Sequence, residues 1–347
     1  MASTGADLIR SATSYKVSCG STEFKQDGND GLQRLVIEDH QDTCDMLTLQ
    51  VGGTENQPTW GFKIGDTCEA QVGSGSTNLF KGEIVAMEPG FQVEGIASMT
   101  VRCLDHAHRL GRGRKTRFWE DKKDSDVAQE VGAECGLSVD ADATEETHPY
   151  ILQRNESNIA FLKRLAARNN FLCTVRDGKL QFKKATFSGG STKVEMGKSL
   201  RSVRFSFNSM DMVQQVVVRG WDIKKKEEVV GQATTGDITA IGGGQKGADV
   251  AGAFGSAIAY VTDVPVTSQS MANAIAKAEM ERMARQFCHG TGSIQGNDAV
   301  RASSMVEFAG LANNLDGKYY VIGSRHVVSN RTGYTTEFTF CSNTFGS

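Results

Sequence analysis

Between residues 15 and 105, apolar and polar positions alternate in short runs: YKVSC, RLVIED, MLTLQV, TCEAQV, LFKGEIVAMEPGF and SMTVRCLD, with glycine or Asx turns between them. A period of two sends successive side chains to opposite faces of a strand, so this block predicts a series of strands forming a barrel or strongly curved sheet. The period then changes. SDVAQEVGAECGL places Val127, Val131 and Cys135 at four-residue intervals behind Asp124 or Ser125 as a cap, which predicts a short helix ending near Gly136. NESNIAFLKRLAARN repeats apolar residues at Ile159, Leu162, Leu165 and Ala166 behind Asn155 or Ser157, and predicts an amphipathic helix. FLCTV and KLQF follow, joined by Arg176-Asp177-Gly178, and the Asp-Gly pair between alternating runs predicts a tight hairpin. These pieces form a small α+β insert over residues 106–190.

Alternation resumes with VRFSF and with VVVRGW and EVVGQA, the last two joined by a polar tip from Asp222 to Lys226. SQSMANAIAKAEMERMARQFC, residues 268–288, predicts a second amphipathic helix with a serine cap. The remainder alternates again through glycine turns. The expected fold class is α+β, mainly β: strand-rich barrel domains at 1–105 and 191–347 flanking the insert.

A chain of 347 residues is too long for one core, and four prolines against 38 glycines suit strands joined by glycine turns. The net charge of −3 provides no global basic field for nucleic acid or membrane. MASTGADLIRSATSYKV lacks a basic region followed by an apolar one, and no run of about 18 apolar residues occurs, so cytoplasmic synthesis without a membrane anchor is expected. The eight cysteines, at 19, 44, 68, 103, 135, 173, 288 and 341, include no CxxC pair. Buried thiols are the plain expectation, late disulfides stay open, and zinc is disfavoured.

Gly242-Gly243-Gly244-Gln245-Lys246-Gly247 satisfies G-x-G-x-x-G after an apolar ITAI, with Asp263 about twenty residues on, so a dinucleotide-binding enzyme is one alternative. Against it, Gly252 and Gly255 interrupt the required helix at about 1 kcal/mol each, and no βαβ series follows. A glycine loop is the preferred reading. Arg109 to Trp119, RLGRGRKTRFW, suggests a nucleic-acid patch, but Glu120, Asp121 and Asp124 follow at once, so a connector is preferred. His106 and His108 share a strand face if the strand continues, yet no third metal ligand is suitably spaced. With neither G-x-S-x-G nor H-E-x-x-H, no catalytic, cofactor-binding or metal residue is assigned.

The insert resembles the signature of phage late-control D proteins, the baseplate hubs of contractile tails, and the related amino-terminal half of VgrG. The likeness falls on Ile151, Gln153, Asn155, Glu156, Ser157, Phe161, Leu162, Arg164, Leu165, Ala166, Asp177, Gly178, Leu180 and Phe182. It extends to IGD, FKGEI and DHAHRL in the first block, to VVVRGWD through Trp221, and to LDGKYYV, His326 and GYTTEF through Tyr334. The resemblance implies a non-enzymatic homotrimer whose two similar barrels per chain form a pseudo-hexameric ring. It also implies a tail tube protein, a spike and baseplate wedge proteins as partners, and a lumen passing tape-measure protein or DNA. Since the chain stops at Ser347, the spike is expected to be a separate polypeptide. Asn155, Glu156, Phe161, Leu162, Asp177, Gly178, Trp221 and Tyr334 are the interaction residues it suggests.

Overall fold

The structure is a computed structural model that describes residues 14–346 except 27–30, 53–59, 74–77, 94–96, 188, 224, 313 and 330–331. The first block supplies β1 (Tyr15–Cys19), β2 (Thr22–Lys25), β3 (Leu32–His40), β4 (Met46–Gly52), β5 (Thr67–Val72), β6 (Phe80–Gly90) and β7 (Ser98–Asp105). The insert follows as α1 (Ala107–Gly111), β8 (Lys115–Lys123), α2 (Asp124–Glu134), β9 (Ser138–Ala141), β10 (Thr147–Glu156), α3 (Asn158–Arg168), β11 (Phe171–Arg176) and β12 (Lys179–Lys184). The last block begins with β13 (Ser191–Glu195), β14 (Leu200–Phe207), β15 (Gln215–Asp222), β16 (Glu227–Thr234), β17 (Gln245–Lys246), α4 (Gly247–Ala251), β18 (Ile258–Val261) and α5 (Gln269–Ala284). It closes with β19 (Cys288–Gln295), β20 (Met305–Ala309), β21 (Gly317–Ser329), β22 (Gly333–Ser342) and β23 (Thr344–Phe345).

The mainly β class is as expected, and the strand-rich blocks share one curled 13-stranded sheet. Strand β21 pairs antiparallel with β3 from Gly323↔His40 to Ser329↔Arg34, so the hydrogen-bond ladder crosses from one half to the other. The halves have the same topology. The first runs β3-β4-β7-β6-β5-β1, the second β14-β19-β22-β21-β20-β13, each visited in the same chain order. They differ at the last pairing, antiparallel for β1 with β5 and parallel for β13 with β20.

Alternation along these strands puts Leu35, Ile37, Leu47, Leu49, Val51 and Val101 into the first core, and Ile294, Phe308, Val321, Phe338 and Phe340 into the second. The opposite face carries Arg34, Glu38, Thr48, Gln50, Thr291, Ser293, Arg325, Glu337 and Thr339, as a half-buried sheet requires. Not all of the last block joins this sheet. Strands β15, β16 and β18 form a separate three-stranded sheet with α5 packed on one face through Val216, Val218, Ala272, Ile275 and Ala276.

In the insert, Ser157 caps α3, its Oγ accepting from the Ala160 amide at 3.3 Å. Ser268 caps α5 in the same way through the Met271 amide. Asp177 and Gly178 both have positive φ, 52° and 75°, as a two-residue hairpin turn demands. Two local expectations differ. The cap of α2 is Lys123 rather than Asp124 or Ser125, because the Asp124 carboxylate is buried against Arg168, Asn169 and His148. Residues 107–111 turn into α1, so His106 and His108 do not share a strand face. The leader at 1–13, the 53–59 stretch and Lys224 of the lysine tip lie outside the described residues.

Candidate assembly surfaces

The insert signature builds a core and a turn. Phe161 and Leu162 are fully buried on α3, with Phe161 stacked on Trp119 at 5.2 Å and the Arg117 guanidinium 4.7 Å over the far ring. Asn155 takes φ 48° at the end of β10; its amide donates to Thr116 and its carbonyl accepts from Arg114. Glu156 accepts from Arg164 at 2.6 Å. Six of the eight suggested residues thus lie in the insert, where they fix its shape. Trp221 and Tyr334 lie in the last block, apart from the insert.

Tyr334 belongs to a buried polar joint between the halves. The Ser324 hydroxyl donates to Asp39 at 2.5 Å, Arg301 Nε donates to the other Asp39 oxygen at 3.2 Å, and the Ala302 amide adds a third donor. Ser324 Oγ can then only accept from His326 Nε2 at 2.9 Å, leaving His326 Nδ1 to accept from the Tyr334 hydroxyl at 2.9 Å. Burial pushes His326 down to about 4, so the ring is neutral near pH 7, and burial likewise raises Tyr334. Each side-chain polar atom of Asp39, Ser324, His326 and Tyr334 has a partner in this relay. Its chemistry is that of a joint fastening β21 to β3.

Trp221 is 54% exposed on the open face of the β15, β16 and β18 sheet. Exposed Arg219 and Tyr260 share that face, the guanidinium 5.8 Å from the ring centroid. An exposed aromatic pair, Phe118 on Tyr150 at 5.3 Å, lies on β8 and β10. A shallow depression lined by Arg34, Val36, Glu38, Thr48, Gln50 and Arg325 sits over the β3–β21 seam. Glu38 and Glu337 both pair with Arg325 there, at 3.0 and 3.1 Å. At the end of the sheet, β19 is the one strand beside β14 among the described residues, and the first residue of β14, Leu200, also forms an isolated bridge with Met196.

The alternative sites lack the required surroundings. A Cβ on Gly244 would lie 2.2 Å from the Phe345 carbonyl and one on Gly247 2.1 Å from the Phe287 ring, so these glycines admit the chain's own packing. The helix after them spans Gly247–Ala251 only. In the basic stretch, Arg109 pairs with Glu83, Arg117 and Lys115 with Glu134, and Lys122 with Glu130, which cancels much of the field. No described helix is long and apolar enough to cross a membrane.

Sequence spacing missed the cysteine arrangement. Cys19 on β1 faces Cys68 on β5 in register and the two form a disulfide. Their sulfurs and that of Cys103 lie within 4.8 Å of one another, all three buried. Burial pushes the Cys103 thiol up to about 12, and the surrounding residues are apolar. A cross-strand pair 49 residues apart leaves no short-range mark in the sequence.

A curled sheet of two topologically equivalent halves around an α+β insert is the fold of phage tail proteins. The 43 kDa tail protein of prophage MuSo2 from Shewanella oneidensis matches with a TM-score of 0.72 at 14% identity, covering 95% of this chain and 98% of that one. The E. coli c3393 protein matches with a TM-score of 0.63 at 10% identity, over 96% of this chain and 78% of its own. That protein is described as a type VI secretion component with structural similarity to the T4 tail proteins gp27 and gp5. A family model described as the Alg8 N-terminal domain matches residues 60–330, and the chain belongs to that family. A probable baseplate hub protein of Escherichia phage 186 is 26% identical over 208 residues, which is 58% of this chain. The match spans about half of that relative, 52% of its length. The resemblance to baseplate hubs, drawn from the insert and strand motifs, is borne out by this relative and by the tail-protein folds.

Proposed function

We propose that the chain is a structural baseplate hub of a contractile tail or related injection particle. It acts as a homotrimer whose pseudo-hexameric ring adapts a sixfold tail tube to a threefold spike. The observation that carries the reading is the duplicated sheet: three copies of a chain with two equivalent halves offer six similar positions while keeping one true threefold axis. The outer edge of β14, which no strand among the described residues covers, supports it, because closing a ring removes an edge that would otherwise template aggregation. The role is one of assembly rather than catalysis.

In this reading the tube protein meets the ring from one side and a spike from the other. Wedge proteins meet the outer insert, where Asn155, Glu156, Asp177 and Gly178 hold the shape supported by Phe161 and Leu162. Trp221 offers an exposed contact, and Tyr334 keeps the halves fixed. The lumen passes tape-measure protein or DNA, and the protein, made in the bacterial cytoplasm, ends in the virion tail baseplate or injection particle. Co-purification with tube and spike proteins, followed by quantitative mass spectrometry, tests the adaptor. Three hub chains per six tube subunits and three spike chains are expected; a hub that captures neither protein, or binds the tube one to one, overturns it.

A further inference from the structure

The duplication extends to residue register. Strand β6 carries one extra residue, Val85, against β7, and β21 carries one, Ile322, against β22. Strands β3 and β14 each skip one residue against their neighbours, Gln33 and Arg201. Just before the extra residue, Ile84 exchanges backbone bonds with Gly65 and Asp66, and Val321 does the same with Ser303 and Ser304. These marks align Ile84 with Val321, Glu88 with Arg325 and Phe91 with Val328 in one pair of strands. In the other they align Ile37 with Phe205 and Glu38 with Ser206.

Within the chain, the stretch of β21 beyond its extra residue pairs with β3. Its counterpart, residues 86–91 on and just after β6, has no strand on the corresponding side among the described residues. The counterpart of β3 is β14, whose outer edge beyond the Leu200 bridge to Met196 likewise has no strand among the described residues. One half therefore lacks a donor of the kind that the other lacks an acceptor for.

We propose that β14 of one copy pairs antiparallel with residues 86–91 of the next copy, repeating between chains the joint that β21 and β3 make within one. This rests on the trimeric reading and names the strands that join its copies. The register carried over from the internal joint sets Glu88 opposite Ser206 and Gly90 opposite Arg204. Arg204 then lies diagonal to Glu88, within reach of opposite charge. Phe91 is 62% exposed, whereas its counterpart Val328 is buried in the core of the half it docks against. Docking would give Phe91 and the 36% exposed Phe207 an apolar environment. Pro89 stands where His326 stands in the internal joint and lacks its N–H, so the ladder between chains has one donor fewer. A proline on this edge also discourages pairing with unrelated strands. Such a contact is head to tail; with one internal and one external joint per chain, three copies give six equivalent joints.

Two single variants, Glu88→Cys and Ser206→Cys, test the register. Both positions are exposed, and each variant adds one thiol, so any new bond between them links different chains. The variants are mixed after dissociation, reassembled, oxidised mildly and compared with wild type on non-reducing gels, while native mass spectrometry of the same sample records the assembly. Covalent dimers in the mixture, absent from either variant alone, are expected. A three-chain assembly without that cross-link overturns this interface and leaves the hub reading standing. Absence of the three-chain assembly in wild type overturns both.

Discussion

Asp45, in the turn between β3 and β4, is 8% exposed, and its Oδ1 accepts one bond, from the His40 amide at 3.3 Å. Burial first, then the carboxylates of Asp105 and Asp39, push it up to about 8, with Arg176 and Arg301 only partly opposing. An unfolded aspartate titrates near 4. Between about pH 4 and 8 the unfolded chain has lost this proton while the folded chain keeps it, so the folded state binds more protons and stability falls as pH rises. The slope is about 1.4 kcal/mol per pH unit, or about 4 kcal/mol between pH 4 and 7. Asp45→Asn removes the titration while keeping an acceptor for the His40 amide. Urea denaturation of both proteins at half-unit steps from pH 4 to 9 should show the variant gaining on the wild type by about that amount, levelling above about pH 8. A constant offset across the range would refute the reasoning, since it would mean that Asp45 ionises in the fold as it does in the unfolded chain.

The other predictions concern packing and covalent linkage. Leu162→Asp puts a carboxylate at a fully buried position of the insert core and should unfold that region, read as lost amide protection in α3, β11 and β12. Replacing exposed Lys225 and Lys226 by serine should change stability by less than about 0.5 kcal/mol in the same denaturation assay. Cys19→Ser opens a loop whose ends are 49 residues apart and should cost about 4 kcal/mol by chain entropy, measured against the oxidised wild type in urea.

What could be read from the sequence was what is encoded locally. The α3 helix, its Ser157 cap and the Asp177-Gly178 hairpin follow from signals spanning a few residues, and all form as expected. The individual strands were equally legible, because a half-buried strand alternates. Their pairing was not. The β3–β21 joint brings together residues 285 apart in sequence, as Ser324 does with Asp39, and no local pattern specifies such a neighbour. The same holds for the disulfide, whose cysteines meet only once β1 and β5 are in register. Asp124 looked like a cap because its short acidic side chain stands at the start of a helix, but the half-buried Arg168 guanidinium was a stronger partner than a backbone amide. The signature residues were legible as a pattern, and the structure puts two of them, Phe161 and Leu162, fully inside the insert core, where they pack it. The open edge of β14 could have been suspected from VRFSF, an alternating run followed by no short turn to a partner.

Native mass spectrometry of the purified protein at graded concentrations, with and without the proposed spike protein, decides whether three duplicated chains make a six-position ring. An assembly of three 37.5-kDa chains is expected, present alone or formed when the spike is added. A chain that stays monomeric in both conditions, or that closes with two, four or six copies, would contradict it.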